Sequence, residues 1–218
     1  MSPQALVFDA YGTLFDVHSV IQRCDQLWPG KGAALSQLWR AKQLEYTWQR
    51  TLMRRYAPFS QITKEALEYC CAALKLPFDA AQADLLWREY LRLSPYPDVP
   101  GALQKFGGRK RAILTNGSPD MIDPLVEHSG LTFDAVLSVD AVKQFKPVPE
   151  VYQVAIDRLG VAKEAIGFVS SNCWDALGAK SFGFRVYWIN RTGAPVDKLG
   201  FQPDALLSTL GDLPAVLQ

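Results

Sequence analysis

No stretch of this chain approaches the roughly 18 consecutive apolar residues of a membrane span. A membrane-embedded helix is therefore not expected. Charge of one sign is also missing: Lys and Arg number 23 against 22 Asp and Glu, for a formal net charge of +1. Without a Lys/Arg block or a basic-aromatic stripe, a polyanionic partner such as nucleic acid is not expected. Cysteine is scarce. Cys24, Cys70, Cys71 and Cys173 match the spacing of neither a zinc site nor a disulfide scaffold. They read as reduced thiols of a cytoplasmic protein. The opening residues show no signal peptide, since Met1-Ser2-Pro3-Gln4 runs straight into a strand-like Ala5-Leu6-Val7-Phe8. Internal repeats and low-complexity segments are lacking. So are a GxGxxG fingerprint and a Walker-type phosphate loop, which argues against nucleotide binding.

What the chain does have is apolar residues, 49% of its 218, enough for a sizeable core in one medium domain or a domain carrying an insertion. Short apolar runs recur at Ala5–Phe8, Arg111–Leu114, Ala135–Ser138, Ile166–Ser170 and Arg185–Ile189. Each is followed by turn residues and a helical pattern, as in parallel strands buried on both faces. Val151, Val154, Ala155 and Leu159 line one face of a helix between Pro149 and Gly160. From about Val17 to Pro95 only helix periodicity is present. Leu44, Trp48 and Leu52 form one stripe there, and Leu85, Leu86, Tyr90 and Leu93 another. The run Pro95-Tyr96-Pro97-Asp98-Val99-Pro100-Gly101 then breaks the pattern. The expected architecture is α/β: a doubly wound, Rossmann-like parallel sheet formed by residues 1–16 and 96–218, with residues 17–95 inserted as a helical cap.

Ligands of open parallel sheets bind beyond the carboxyl ends of the strands, so the residues following each run are the candidates. Asp9 ends the first run in Phe8-Asp9-Ala10-Tyr11-Gly12-Thr13-Leu14. A carboxylate there is placed for nucleophilic attack, with Gly12 allowing a tight turn and Thr13 orienting a carboxylate oxygen. Taken alone, it equally fits an Asp that caps a turn. Thr115-Asn116-Gly117-Ser118 offers donors for an anionic group or is an ordinary loop. Lys146, in Phe145-Lys146-Pro147, would neutralise clustered carboxylates if it points into the cleft. Ser170-Ser171-Asn172-Cys173-Trp174-Asp175 places a second acid where it could position a water or simply cap a helix.

These four blocks, in this order and at these strand ends, resemble the haloacid dehalogenase superfamily. The resemblance implies Asp9 as covalent nucleophile, Thr115 as the second-block hydroxyl, Lys146 as the third-block lysine and Asp175 as the fourth-block acid. Magnesium-dependent phosphatases of the superfamily carry a second Asp two residues after the nucleophile. Here Tyr11 stands at that position, and magnesium needs hard oxygen ligands. The sequence Asp-x-Tyr-Gly-Thr-Leu instead resembles the L-2-haloacid dehalogenases. Leu38-Trp39-Arg40-Ala41-Lys42-Gln43-Leu44-Glu45-Tyr46-Thr47-Trp48 is similar to their cap helix.

That subfamily resemblance implies an (S)-2-haloacid as substrate, halide as a product, no metal or organic cofactor, and a homodimer. It implies that Ala10, Tyr11, Thr115 and Ser118 hold the substrate carboxylate. Arg40 and Asn116 would receive the halide, in a pocket shaped by Leu44, Phe59 and Trp174. It also implies that Asp175 activates the hydrolytic water with Ser170 and Asn172, while Tyr152 supports Lys146. Without the resemblance, Arg40 reads as a surface helix residue, and Trp39, Tyr46, Trp48 and Phe59 as core packing.

Overall fold

The structure, a computed structural model, describes residues 2–217. The five apolar runs and one further short strand form a six-stranded sheet: β1 (Ala5–Phe8), β2 (Lys110–Thr115), β3 (Ala135–Ser138), β4 (Ile166–Ser170), β5 (Arg185–Ile189) and β6 (Ala205–Leu207). All pairings are parallel, in the order β3-β2-β1-β4-β5-β6. The central strand β1 is fully buried along its length, as a strand covered on both faces must be. Burying each of Leu6, Val7 and Phe8 contributes about 1.5–3 kcal/mol. The sequence did not signal β6. It is three residues long, too short for a periodicity to show.

The helices are α1 (Ile21–Leu27), α2 (Gly32–Leu52), α3 (Phe59–Ala73), α4 (Ala80–Tyr90), α5 (Val99–Leu103), α6 (Pro119–Ser129), α7 (Pro149–Leu159), α8 (Cys173–Phe182) and α9 (Leu213–Val216). The chain divides into two compact units. One comprises residues 1–15, 95–116 and 131–218; the other comprises 16–94 and 117–130. The sheet belongs to the first unit, where α7 packs on β2 and β3, and α8 on β4 and β5. Its helix α7 spans the segment expected from the spacing of Val151, Val154, Ala155 and Leu159, all of which are buried.

The second unit is helical and contains α6 in addition to α1–α4. Helix α6 is tied to α3 by the Ser60 amide, which donates to Ser118 Oγ at 3.1 Å, and by Thr63 Oγ1 against Met121 Sδ at 3.8 Å. The buried face of α2 departs from the apolar stripe. Leu35, Ser36, Trp39, Gln43 and Thr47 point inward, whereas Trp48 is 37% and Leu52 84% exposed. The inward polar groups are satisfied. Gln43 Nε2 donates to Thr63 Oγ1 at 3.2 Å, Thr47 Oγ1 to the Leu44 carbonyl at 2.6 Å, and Trp39 Nε1 to the Thr63 carbonyl at 2.8 Å. Hydrogen-bonded polar groups are tolerated inside a helical core. Among the aromatics expected in the core, Trp39 and Phe59 are buried, Tyr46 is half-buried, and Trp48 is on the surface.

Candidate active site

The strand order reverses between β1 and β4: the chain builds outward to β3, then returns to β1's other edge. Such a switch point is where a doubly wound sheet opens a crevice. Asp9 leaves β1 here, with its amide bonded to the Val169 carbonyl of β4 at 2.9 Å. The chain then turns tightly. Gly12 has a φ of +86°, in the left-handed region that glycine adopts without strain, and the amides of Thr13, Leu14 and Phe15 all converge on the Ala10 carbonyl. This turn brings Thr13 back over Asp9.

Each oxygen of the Asp9 carboxylate is fixed. Oδ2 accepts from Thr13 Oγ1 at 2.8 Å and from Asn172 Nδ2 at 2.7 Å. Oδ1 accepts from Lys146 Nζ at 3.0 Å. Asn172, just before α8, also donates to the Tyr11 carbonyl at 3.0 Å, and the Ser171 amide donates to Thr13 Oγ1 at 2.8 Å. The β1 turn and the start of α8 are thereby stitched together around the nucleophile candidate.

Lys146 lies between two carboxylates. Its Nζ is 2.9 Å from Asp175 Oδ2 as well as 3.0 Å from Asp9 Oδ1, and its side chain is 1% exposed. Burial alone would lower its pKa, but the two acids more than offset this and raise it, so it stays an ammonium. Its amide donates to Asn116 Oδ1 at 3.0 Å, and the ammonium lies 5.1 Å from the centre of the Phe168 ring. Asp175 is fully buried in the first turn of α8. It accepts from Ser170 Oγ at 3.1 Å and, on Oδ1, from Tyr152 OH at 2.9 Å. Burial pushes its carboxyl up to about 6, with Lys146 pulling the other way. Burial and the nearby Asp175 raise the Tyr152 phenol well above its ordinary value, so it remains a donor.

Asp9, Thr13, Lys146, Tyr152, Ser170, Asn172 and Asp175 are thus one hydrogen-bonded cluster. Asn116 joins it through the Lys146 backbone. Ala10, Tyr11 and Thr115 are buried beside it in sequence, and Trp174 is half-buried at the start of α8. Arg40, Leu44, Phe59 and Ser118 belong to the helical unit. Arg40 is half-buried on α2, and its charge opposes the burial that raises the Tyr90 phenol. It is therefore not the solvated surface residue that its position alone suggests. Phe59 opens α3 and is buried. Ser118 is buried and donates to Asp120 Oδ1 at 2.5 Å. Among the described residues, no three His, Cys, Asp or Glu side chains group as a metal site.

The family model for haloacid dehalogenase-like hydrolases matches residues 3–183. This chain belongs to the haloacid dehalogenase-like hydrolase family. It is 51% identical to the (S)-2-haloacid dehalogenase of Pseudomonas sp. strain YL, over 95% of this chain and 91% of that protein. It is 48% identical to the haloacetate dehalogenase H-2 of Moraxella sp. strain B, over 92% of each. It superimposes with a TM-score of 0.93 on the L-2-haloacid dehalogenase from Xanthobacter autotrophicus with chloropropionic acid covalently bound, 43% identical over 99% of this chain and 98% of that one.

Two supports of this haloacid dehalogenase-like hydrolase's site were not read from its sequence. At Gly178 on α8, a Cβ would lie 2.4 Å from Pro147 Cβ and 2.6 Å from Tyr152 OH. Only glycine lets the loop bearing Lys146 sit this close to the helix bearing Asp175. Phe168, Phe182 and Phe184 surround the Tyr152 ring at 5.6 to 6.1 Å. As isolated residues, neither the glycine nor the aromatics carry a sequence signal of this role.

Proposed function

We propose that this protein hydrolyses (S)-2-haloacids to (R)-2-hydroxyacids and halide through an ester on Asp9. The observation that carries this reading is the covalently bound chloropropionic acid in a relative 43% identical over 99% of the chain. The buried, doubly anchored Asp9 is suited to forming such a bond. Its Oδ1 meets one donor where Oδ2 meets two, so Oδ1 keeps the more available lone pair. That oxygen attacks C2 from behind the carbon–halogen bond. The new C–O bond forms as the halide departs with its electron pair, inverting C2.

Backbone amides at Ala10 and Tyr11, with Thr115 and Ser118, hold the substrate carboxylate in this proposal. Arg40 and the amide of Asn116 take the halide, and Leu44, Phe59 and Trp174 exclude water around it. A cation on the leaving anion, within an apolar surround, lowers the barrier to its departure. These assignments rest on the match to the dehalogenase motifs. In the second step a water attacks Cγ of Asp9. Asp175, with its carboxyl pushed up to about 6, is a carboxylate at neutral pH and basic enough to accept the water's proton, with Ser170 and Asn172 orienting the water. The bond from Cγ to the product oxygen then breaks, that oxygen takes the proton held by Asp175, and the hydroxyacid leaves as Asp9 returns to a carboxylate by losing the remaining proton of the water to solvent. Lys146 offsets the two carboxylates throughout, and no metal or organic cofactor takes part.

The chain works as a homodimer in the cytoplasm on this reading. Exposed Trp48, Leu52, Met53 and Tyr69 are apolar surface of the kind an interface covers. The four cysteines are free thiols, as a reducing compartment keeps them. Halide release from L-2-chloropropionate by the parent and by Asp9→Asn tests the reaction. Release by the parent alone is expected; equal release by both would remove Asp9 from the mechanism.

A further inference from the structure

We infer that Arg191, in the segment after β5, is a positioning residue for the nucleophile and acts through Thr13. This rests on the reading of Asp9 above. Arg191 Nη1 donates to both oxygens of Asp98 at 2.9 Å each. Nη2 donates to the Thr13 carbonyl at 3.2 Å, and the guanidinium lies 4.1 Å from the centre of the Tyr96 ring. The two charged side chains are only 17% and 19% exposed. Asp98 is itself fixed, since its Oδ2 accepts the Leu210 amide at 2.6 Å. The fork is therefore held by a carboxylate and an aromatic face while it grips one backbone carbonyl.

That carbonyl belongs to the residue whose hydroxyl donates to Asp9 Oδ2 at 2.8 Å. Threonine is stiff at χ1, so the direction of the hydroxyl follows its backbone. A second brace acts on the next residue: the Tyr96 amide donates to the Leu14 carbonyl at 3.0 Å, and Tyr96 carries the ring under Arg191. Arg191 thus holds the backbone of the residue whose hydroxyl fixes the carboxylate. A backbone shift at Thr13 would rotate the Asp9 oxygen off its line of attack, and misplacement by an ångström costs on the order of a hundredfold in rate. Lysine cannot reproduce this arrangement, because a point charge does not span a carboxylate, a carbonyl and a ring face together.

The test uses Arg191→Lys and, as a second variant, Arg191→Gln combined with Asp98→Asn, which leaves no buried carboxylate unpaired. Parent and Asp9→Asn are assayed first for halide release from L-2-chloropropionate. An inactive parent, or an active Asp9→Asn, is a failure of the functional reading and not of the role given to Arg191. With that reading standing, a folded Arg191 variant is expected to lose about tenfold or more in kcat with KM changed less than about threefold. On a Thr13→Ala background the same replacements should cost less than about twofold further, because the path they act through is already cut. Parental kcat in either folded variant, a loss confined to KM, or a loss that multiplies in full on the Thr13→Ala background overturns the inference.

Discussion

Replacing Lys146 by Met removes one charge from a place that water does not reach. The ammonium is 1% exposed and lies within 3.0 Å of oxygens of both Asp9 and Asp175. Methionine fills much of the same space but leaves two buried carboxylates facing each other. Breaking a buried ion pair on one side costs about 3–5 kcal/mol, a large share of the roughly 5–15 kcal/mol that holds a typical domain folded. The variant should fold with a reduced margin, and the deficit should depend on pH with a definite sign. In the parent, burial pushes the Asp175 carboxyl up to about 6 while Lys146 pulls it down; without Lys146 it rises further. A carboxyl whose folded pKa exceeds its unfolded value binds its proton more readily when folded, so stability increases as pH falls. The deficit of the variant is therefore greatest near about pH 8. It closes toward about pH 6 by up to roughly 1.4 kcal/mol per pH unit for one proton. Below that, the parent carboxyl protonates too and the gap stops closing. Urea unfolding of both proteins at several pH values across this range measures it. A deficit below about 1 kcal/mol, or one of constant size at every pH, would refute the pairing of Lys146 with both acids.

Turnover should fall as pH drops through about 6, because Asp175 must be ionised to take the proton of water. Tyr152→Phe, which removes a hydrogen bond that favours the carboxylate, should move this limb to higher pH; a pH–rate profile of both proteins checks it. Arg40→Ala should lower kcat by about a hundredfold if it receives the leaving anion, and Arg40→Lys should also be poor. Normal steady-state turnover in either variant would dissociate Arg40 from the halide. Dehalogenation should persist in excess EDTA and gain nothing from magnesium, because Lys146 already supplies the positive charge between Asp9 and Asp175 and Tyr11 replaces a second carboxylate. Loss of activity on chelation, restored by magnesium, would count against this.

Much of the hydrogen-bonded cluster around Asp9 was legible in the sequence because several of its members stand at strand ends. Asp9, Asn116 and Ser170 to Asp175 each end or follow an apolar run, and a parallel sheet gathers those positions at one edge. The inward face of α2 was not legible. Its apolar residues Leu44, Trp48 and Leu52 repeat every four, but so do Trp39, Gln43 and Thr47 one position earlier, and the latter set is buried. The buried set includes the large Trp39 ring and carries hydrogen bonds from Trp39 and Gln43 to Thr63 of α3, partners that a hydropathy pattern does not record. Arg191 was hidden for a related reason. Its partners Thr13, Tyr96 and Asp98 are brought together only by the fold. Gly178 likewise has meaning only beside Pro147 and Tyr152.

The central claim is that Asp9 forms a covalent ester whose carbonyl, not the substrate carbon, is attacked by water. Inversion at C2 does not test it, since direct attack by water inverts the same centre. A single turnover in oxygen-18 water does, with enzyme in excess over L-2-chloropropionate. The account predicts ordinary oxygen in the product hydroxyl, because that atom comes from Asp9. It predicts the heavy atom in the peptide bearing Asp9, detected by mass, with label reaching product only in later turnovers. Heavy oxygen in the first-turnover product, with none in that peptide, would contradict the ester and leave Asp9 as a general base.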